Sequence, residues 1–303
     1  MKKTLFLLAG MCLAAIFSCT KDKTNYGAET DPEGTEGGGF REALSVQIDG
    51  RAVSIETRGG TFRKGWNDVR ARVANGTDVS AVTFLPVRTD VDGEKTSCPH
   101  RRELAYDRDG GYFSGHAVFT EESGPGANWT VRIAVSGQTH TAEQNISVGK
   151  QPNKNLGMAV FTGTDGERYV IALASPAKPK VGENEMVAGV YKRVEQSSLP
   201  PEGKLPDGLL FSYAEAGGFT LKLDPRMPEP SMGNHSSPNN KDLTQGADGL
   251  YHGRVNYTMT GNWTLNFLLL DENGEAVKGT EVPTDFTPGL EGAKSELHID
   301  VLL

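Results

Sequence analysis

A chain of 303 residues with 31 Lys and Arg against 39 Asp and Glu carries a formal charge of −8 and an isoelectric point near 5.4. No block of basic residues offsets that balance, which speaks against nucleic acid as a partner. The 37 glycines and 16 prolines, set among many Val, Thr, Tyr and Phe residues, point to short strands joined by frequent turns.

The N-terminus opens with Lys2 and Lys3, followed by an apolar run from Leu5 to Phe17 and then Ser18-Cys19. This is the layout of a secretory signal, and the run is too short for a membrane span, which needs about 20 apolar residues. Ala15-Ile16-Phe17-Ser18-Cys19 resembles a lipobox, with Ile16 where Leu is commoner. The resemblance implies cleavage before Cys19, lipid on that cysteine and a bilayer as its partner. Residues 1–18 are thus expected to be a signal peptide. Residues 19–42, rich in Gly, Glu and Thr, are expected to be a flexible tether spanning on the order of 25 Å. Thr20 after the cysteine resembles lipoproteins sent on to the outer membrane. Lys21-Asp22-Lys23 resembles the surface-export tags of Bacteroidetes lipoproteins. The periplasmic and surface faces both stay open. Cys12 leaves with the signal and Cys19 takes lipid, so Cys98 is the only free thiol and an intrachain disulfide is excluded. Such a thiol is either buried and inert or part of a reactive or metal-binding site.

Beyond the tether the chain repeats itself. Gly65-Trp66-Asn67-Asp68-Val69-Arg70-Ala71-Arg72-Val73 and Gly182-Glu183-Asn184-Glu185-Met186-Val187-Ala188-Gly189-Val190 share the pattern Gly-x-Asn-x-apolar-x-Ala-x-Val. The alternation predicts a half-buried strand. Val82 to Pro86 and Leu221 to Pro225 follow, two more alternating strands that each end on proline. Thirteen positions separate Pro86 from Pro99, and the same number separates Pro225 from Pro238. Tyr112 to Phe119 then aligns with Tyr251 to Tyr257 on Gly115 and Gly253, and both copies close on a tryptophan strand, Asn128-Trp129-Thr130 and Asn262-Trp263-Thr264. No amphipathic helix is evident. The expected fold is all-β: two tandem immunoglobulin-like antiparallel β-sandwich modules, each with a buried tryptophan, over residues 43–150 and 155–303. The polar stretch from Gly149 to Lys154 marks the boundary. The second copy carries an insertion around Pro200 to Gly208.

Pro225-Arg226-Met227-Pro228-Glu229-Pro230-Ser231-Met232-Gly233-Asn234-His235-Ser236-Ser237-Pro238 resembles the Met- and His-bearing loop of YtkA-like domains, which are related to the FixH family. Asp248 to Gly253 and Met259 to Trp263 resemble the rest of that domain. The likeness covers residues 182 to 303 in copy two; copy one keeps only the frame. It implies envelope membranes, metal handling and assembly of an oxidase or pump.

The residues give a chemical reading of their own. Thioether sulfur suits Cu(I), and imidazole suits copper or zinc. Met227, Met232 and His235 lie within nine residues on a proline-bracketed loop, with His252 as a fourth candidate ligand from a neighbouring strand. Against this, methionines can simply fill the open end of a sandwich. Both readings stay open. Met259 alternates with Val255 and Tyr257, which predicts a core-facing side chain. In copy one the aligned residues are Arg88, Gly93 and Thr96, so no soft ligand survives. Cys98 and His100 form a possible second thiol site that lacks a third ligand. His116, His140 and His298 have no clustered partners and read as surface or satisfied core positions. Asn128 and Asn262, although in sequons, read as turn residues.

No metalloprotease helix, nucleophile elbow, phosphate loop or dinucleotide fingerprint is present. The sequence therefore predicts no enzyme. It predicts a membrane-anchored envelope lipoprotein that binds copper or a similar soft metal, as a carrier or as an accessory to a metal-dependent membrane complex. The alternative is a structural or adhesive lipoprotein that meets a protein or glycan partner through its sandwich loops.

Overall fold

The computed structural model describes residues 39–126, 128–151, 157–199 and 205–303; the signal, Cys19 and the tether through Gly38 lie outside the described residues. The first copy comprises β1 (Phe40–Ile48), β2 (Arg51–Arg58), β3 (Phe62–Arg63), β4 (Gly65–Val73), β5 (Val82–Thr89), β6 (Lys95–Thr96), β7 (Glu103–Asp107), β8 (Tyr112–Phe119), β9 (Asn128–Val135), β10 (Ala142–Ile146) and β11 (Val148–Gly149). The second comprises β12 (Met158–Thr162), β13 (Arg168–Ser175), β14 (Gly182–Glu195), β15 (Phe211–Glu215), β16 (Thr220–Met227), β17 (His235–Ser236), β18 (Lys241–Gln245), β19 (Tyr251–Tyr257), β20 (Asn262–Leu270), β21 (Ala276–Lys278) and β22 (Leu297–Leu302). Helix among the described residues is confined to two 3-10 turns, Gln196–Ser198 and Pro206–Gly208. The first strand starts at Phe40, inside the expected tether, where Phe40 pairs with Arg58 on β2.

Pairing follows one plan twice. In copy one the first sheet runs β1-β2-β4-β8-β7 and the second β7-β5-β9-β10. In copy two the corresponding orders are β12-β13-β14-β19-β18 and β18-β16-β20-β22. With the first strand of each copy set aside, these are the A-B-E-D and C-F-G sheets of an immunoglobulin-like sandwich, with strand D reaching across to C. The tryptophans stand on the F strand. Trp129 packs edge-on against Phe119 at 5.0 Å, and Trp263 packs edge-on against the aligned Tyr257 at 5.5 Å.

The Gly-x-Asn motif explains how the B strand begins. Gly65 and Gly182 take φ of +94° and +103°, the left-handed region that glycine enters without a Cβ penalty. Asn67, buried two residues on, donates from Nδ2 to the carbonyls of Arg63 and Gly65 and accepts the Arg63 N–H at Oδ1. Asn184 makes the same three bonds, to Lys180, Gly182 and the Lys180 N–H. One side chain thus satisfies the backbone of the incoming turn in each copy. Gly115 and Gly253 repeat for a different reason. A Cβ on either would strike the leucine of the crossing D strand, Leu104 Cδ2 at 2.5 Å or Leu243 Cγ at 2.8 Å.

Pro86 and Pro225 do not end their strands as expected; β5 continues to Thr89 and β16 to Met227. The N–H groups of Phe84 and Leu223 point toward strand D, reaching the Arg102 carbonyl and the Asp242 carboxylate. Residues two apart on a strand face the same way, so the prolines present their missing N–H on that side. Each sits in the gap between two short partners: β7 and β6 in copy one, β18 and β17 in copy two. No ladder bond is lost, which is the condition under which a sheet accepts proline.

The copies meet through the outward faces of their first sheets. Val118, Val170, Ala172 and Tyr191 form a separate buried cluster, with Trp66, Met158 and Tyr213 packed against it. The insertion of copy two reaches back onto copy one. Leu209 is buried with Leu85 and Val87, the Leu210 N–H bonds the Lys95 carbonyl, and the Ser97 N–H bonds the Phe211 carbonyl. Phe211 and Thr96 thereby join β15 to β6 in parallel.

Candidate functional sites

The β16–β17 hairpin holds three of the four expected soft ligands. Met227 and His235 are directly opposite in register, and the Met232 carbonyl accepts the His235 N–H in the turn between them. Met227 belongs to the core cluster that holds Trp263, Met232 packs against that cluster from its edge, and the His235 ring lies 6.1 Å from the indole, edge-on. In kind, this donor set suits a soft ion. In packing it is already committed. Met227 is 1% exposed within the core, its methyl carbon close against Gly261. His235 Nε2 is 2.9 Å from the Thr258 hydroxyl. Cu(I) would have to draw one thioether from the core and displace one hydroxyl from the ring.

His252 does not join them. It stands near the start of β19, six residues before Thr258, and at about 3.3 Å per residue the two positions are about 20 Å apart. Its Nε2 contacts the Asp248 carboxylate at 3.0 Å. Met259 also departs from expectation. The strand ends at Tyr257, so the alternation that would turn Met259 inward stops short of it, and the residue is 37% exposed. Its carbonyl accepts the Trp263 indole N–H.

Cys98 and His100 point to different surroundings. The thiol lies wholly inside the first core, where burial pushes its pKa well above the ordinary range, so it is protonated and inert toward electrophiles. His100 turns Nδ1 to the Cys98 carbonyl at 2.8 Å. Its pKa falls to about 4, through burial first. Among the described residues, no group of three or more His, Cys, Asp and Glu is arranged to hold a metal ion.

His140 is exposed beside the Asp49 carboxylate, and His298 Nδ1 bonds the Ser295 carbonyl at 2.7 Å. His116 is different. It is 4% exposed at the joint between the copies, stacked on Trp66 at 4.3 Å and hydrogen-bonded through Nε2 to the Tyr191 hydroxyl at 2.6 Å. Desolvation lowers its pKa to about 3, and Arg101 and His100 add to the effect, so the ring is neutral. Gly189 makes room for the tyrosine, since a Cβ there would lie 2.5 Å from the Tyr191 ring. Sequence reasoning reached only the isolation of His116. Its partner is 75 residues away and not signalled by spacing.

A second grouping also went unread. Phe40, Arg58, Arg70, Arg72 and Tyr112 meet on the outer face of the first sheet. Their one linear trace is the alternation of Arg70 and Arg72 along a strand.

No protein-family model matches the chain, and no curated protein matches it.

Proposed function

We propose that this chain is a lipid-anchored envelope lipoprotein without catalytic activity, whose two sandwiches act as one body that presents a binding surface to a protein or glycan partner. The observation that carries this reading is the joint. An apolar cluster, a buried His116–Tyr191 hydrogen bond and the returning insertion hold the two sandwiches together. Fixed relative geometry suits a binding platform, because a partner that spans both sandwiches then orders no hinge on docking. Lipid attachment rests on Cys19, and metabolic labelling with a fatty acid should mark the natural chain and not a Cys19→Ser variant.

A second reading places Cu(I) at Met227, Met232 and His235, with the protein as a metal carrier or an accessory to a metal-dependent membrane complex. The register that sets Met227 opposite His235 favours it, as does the likeness to YtkA-like loops. A Cu(I) titration against a chromogenic chelator separates the readings. The platform predicts no stoichiometric uptake. Tight uptake that disappears in a Met232→Ala/His235→Ala variant would establish the copper site instead.

A further inference from the structure

One side chain at the centre of the joint can change its charge. Val118, Val170, Ala172 and Tyr191 close the joint, with Trp66, Met158 and Tyr213 packed at its margin. His116 lies among them on β8. Its ring stacks on Trp66 of its own sheet at 4.3 Å, and its Nε2 is 2.6 Å from the Tyr191 hydroxyl of copy two. Both His116 and Tyr191 are buried.

The charged groups around that ring are few. Asp68 faces it from β4, but the Trp66 indole N–H and Arg58 already engage that carboxylate. The segment before β7 brings His100 and Arg101, and Arg101 crosses the joint to Glu215 at 3.4 Å and to the Asp248 carbonyl at 2.9 Å. From copy two come Tyr191 on β14 and Glu215 on β15. The Trp66 face favours a stacked cation, yet burial, Arg101 and His100 all oppose one, and the pKa falls to about 3. Protonation would also reverse the hydrogen bond. Among the described residues the Tyr191 hydroxyl has His116 as its one hydrogen-bond partner, so the neutral ring accepts the O–H at Nε2. Once Nε2 carries a proton it donates instead, and the phenol hydrogen loses its acceptor inside the joint.

We propose that acid opens the joint: proton uptake by His116 separates the two sandwiches while each stays folded, and so dismantles any binding surface that spans them. The core of each sandwich is a cluster distinct from that of the joint. The grip of the insertion, Leu205 and Leu209 on Leu85 and Val87, has no titratable member, and the sandwiches pivot about it. In water the ring regains its ordinary pKa of 6.5. Its support for the closed joint is therefore complete above 6.5 and lost as pH falls toward 3. The ratio of open to closed chains rises by up to about 100-fold between pH 7.5 and 4.5.

This proposal rests on reading the two sandwiches as one body, and adds the condition under which that body comes apart. The test uses the whole mature chain with Cys19→Ser. Because Cys98 is buried, nitroxide labels attach only at two introduced cysteines, Thr77→Cys in copy one and Leu290→Cys in copy two, both exposed positions. Pulsed electron spin resonance should give one narrow distance between the labels at pH 7.5. At pH 4.5 a second, broader distance should appear, with far-UV circular dichroism unchanged and the effect reversed on neutralisation. His116→Gln keeps an acceptor for the phenol without titrating, and should hold the narrow distance at pH 4.5. In the parent, the His116 Cε1 NMR signal should report a neutral ring in the closed population at pH 4.5, a readout that stands even where His116→Gln loosens the joint by itself. One distance retained down to pH 4, equal acid broadening in His116→Gln, or a closed-state ring that titrates near pH 6.5 would each overturn the proposal. Two distances already present at pH 7.5 would instead overturn the one-body reading beneath it.

Discussion

The two sandwiches repeat a small set of framework residues and differ at the surface. Asn67 and Asn184 clasp the same turn, Gly115 and Gly253 admit the same leucine, and Pro86 and Pro225 occupy the same gap in the ladder. On the outside, copy one carries the arginine–aromatic series on a sheet face, and copy two carries methionine and histidine in a hairpin. The repeated positions are those where backbone geometry or close packing leaves few acceptable residues. The divergent ones have solvent on one side, where substitution costs little stability. Distinct roles for the copies therefore have to be sought on those surfaces.

Unfolding experiments can break this comparison. Removing either tryptophan should have the largest effect: Trp129→Ala and Trp263→Ala should each cost about 3–5 kcal/mol in urea unfolding. A markedly smaller loss from one would show that the two cores are not energetically equivalent. Acid should come next. His116 titrates near 3 in the folded chain against 6.5 ordinarily, so below pH 6.5 the unfolded chain takes up a proton that the folded chain refuses. Its contribution is thus lost as pH falls from 6.5 toward 3, on the order of 2 kcal/mol by pH 4.5. His100, lowered to about 4, acts with the same sign. A His116→Gln variant should flatten the dependence of unfolding free energy on pH between 7 and 4.5, and an unchanged slope would remove His116 as its source.

Smaller effects sharpen the comparison. Asn67→Ala and Asn184→Ala should lose about 2 kcal/mol each, since each strands backbone groups that the amide had satisfied. Equal losses would confirm that the two turns are one device used twice. Tyr191→Phe should cost about 1 kcal/mol, the net value of a single hydrogen bond. If its unfolding splits into two transitions, the polar contact is what couples the sandwiches.

Much of the framework could be read from the chain because a repeat supplies its own alignment. The alternation in Gly65 to Val73, the proline spacing and the two tryptophan strands were enough to specify an all-β sandwich plan, since side chains in a strand face the core every second residue. What escaped depended on contacts that sequence distance hides. Proline looked like a terminator because its missing N–H matters only if a partner strand lies on that side. Met259 looked buried because its strand was assumed to run two residues further. His252 looked like a ligand of the hairpin because closeness along the chain is not closeness along an extended strand. The His116–Tyr191 contact and the Arg70 stack are each assembled across several strands, and no local pattern announces them.

The joint has one more consequence. Copy one contributes the outer surface of its A-B-E-D sheet, through Trp66, His116 and Val118, and copy two contributes the outer surface of its own, through Val170, Ala172 and Tyr191. The two patches are not equivalent, because copy one uses its B and E strands and copy two its A and B strands, so the contact is heterologous. Head-to-tail contacts leave a free face at each end and can extend into rods. In copy two the positions that match Trp66, His116 and Val118 are Glu183, Arg254 and Asn256, so a third copy docking in the same way would meet an ion pair in place of the apolar patch.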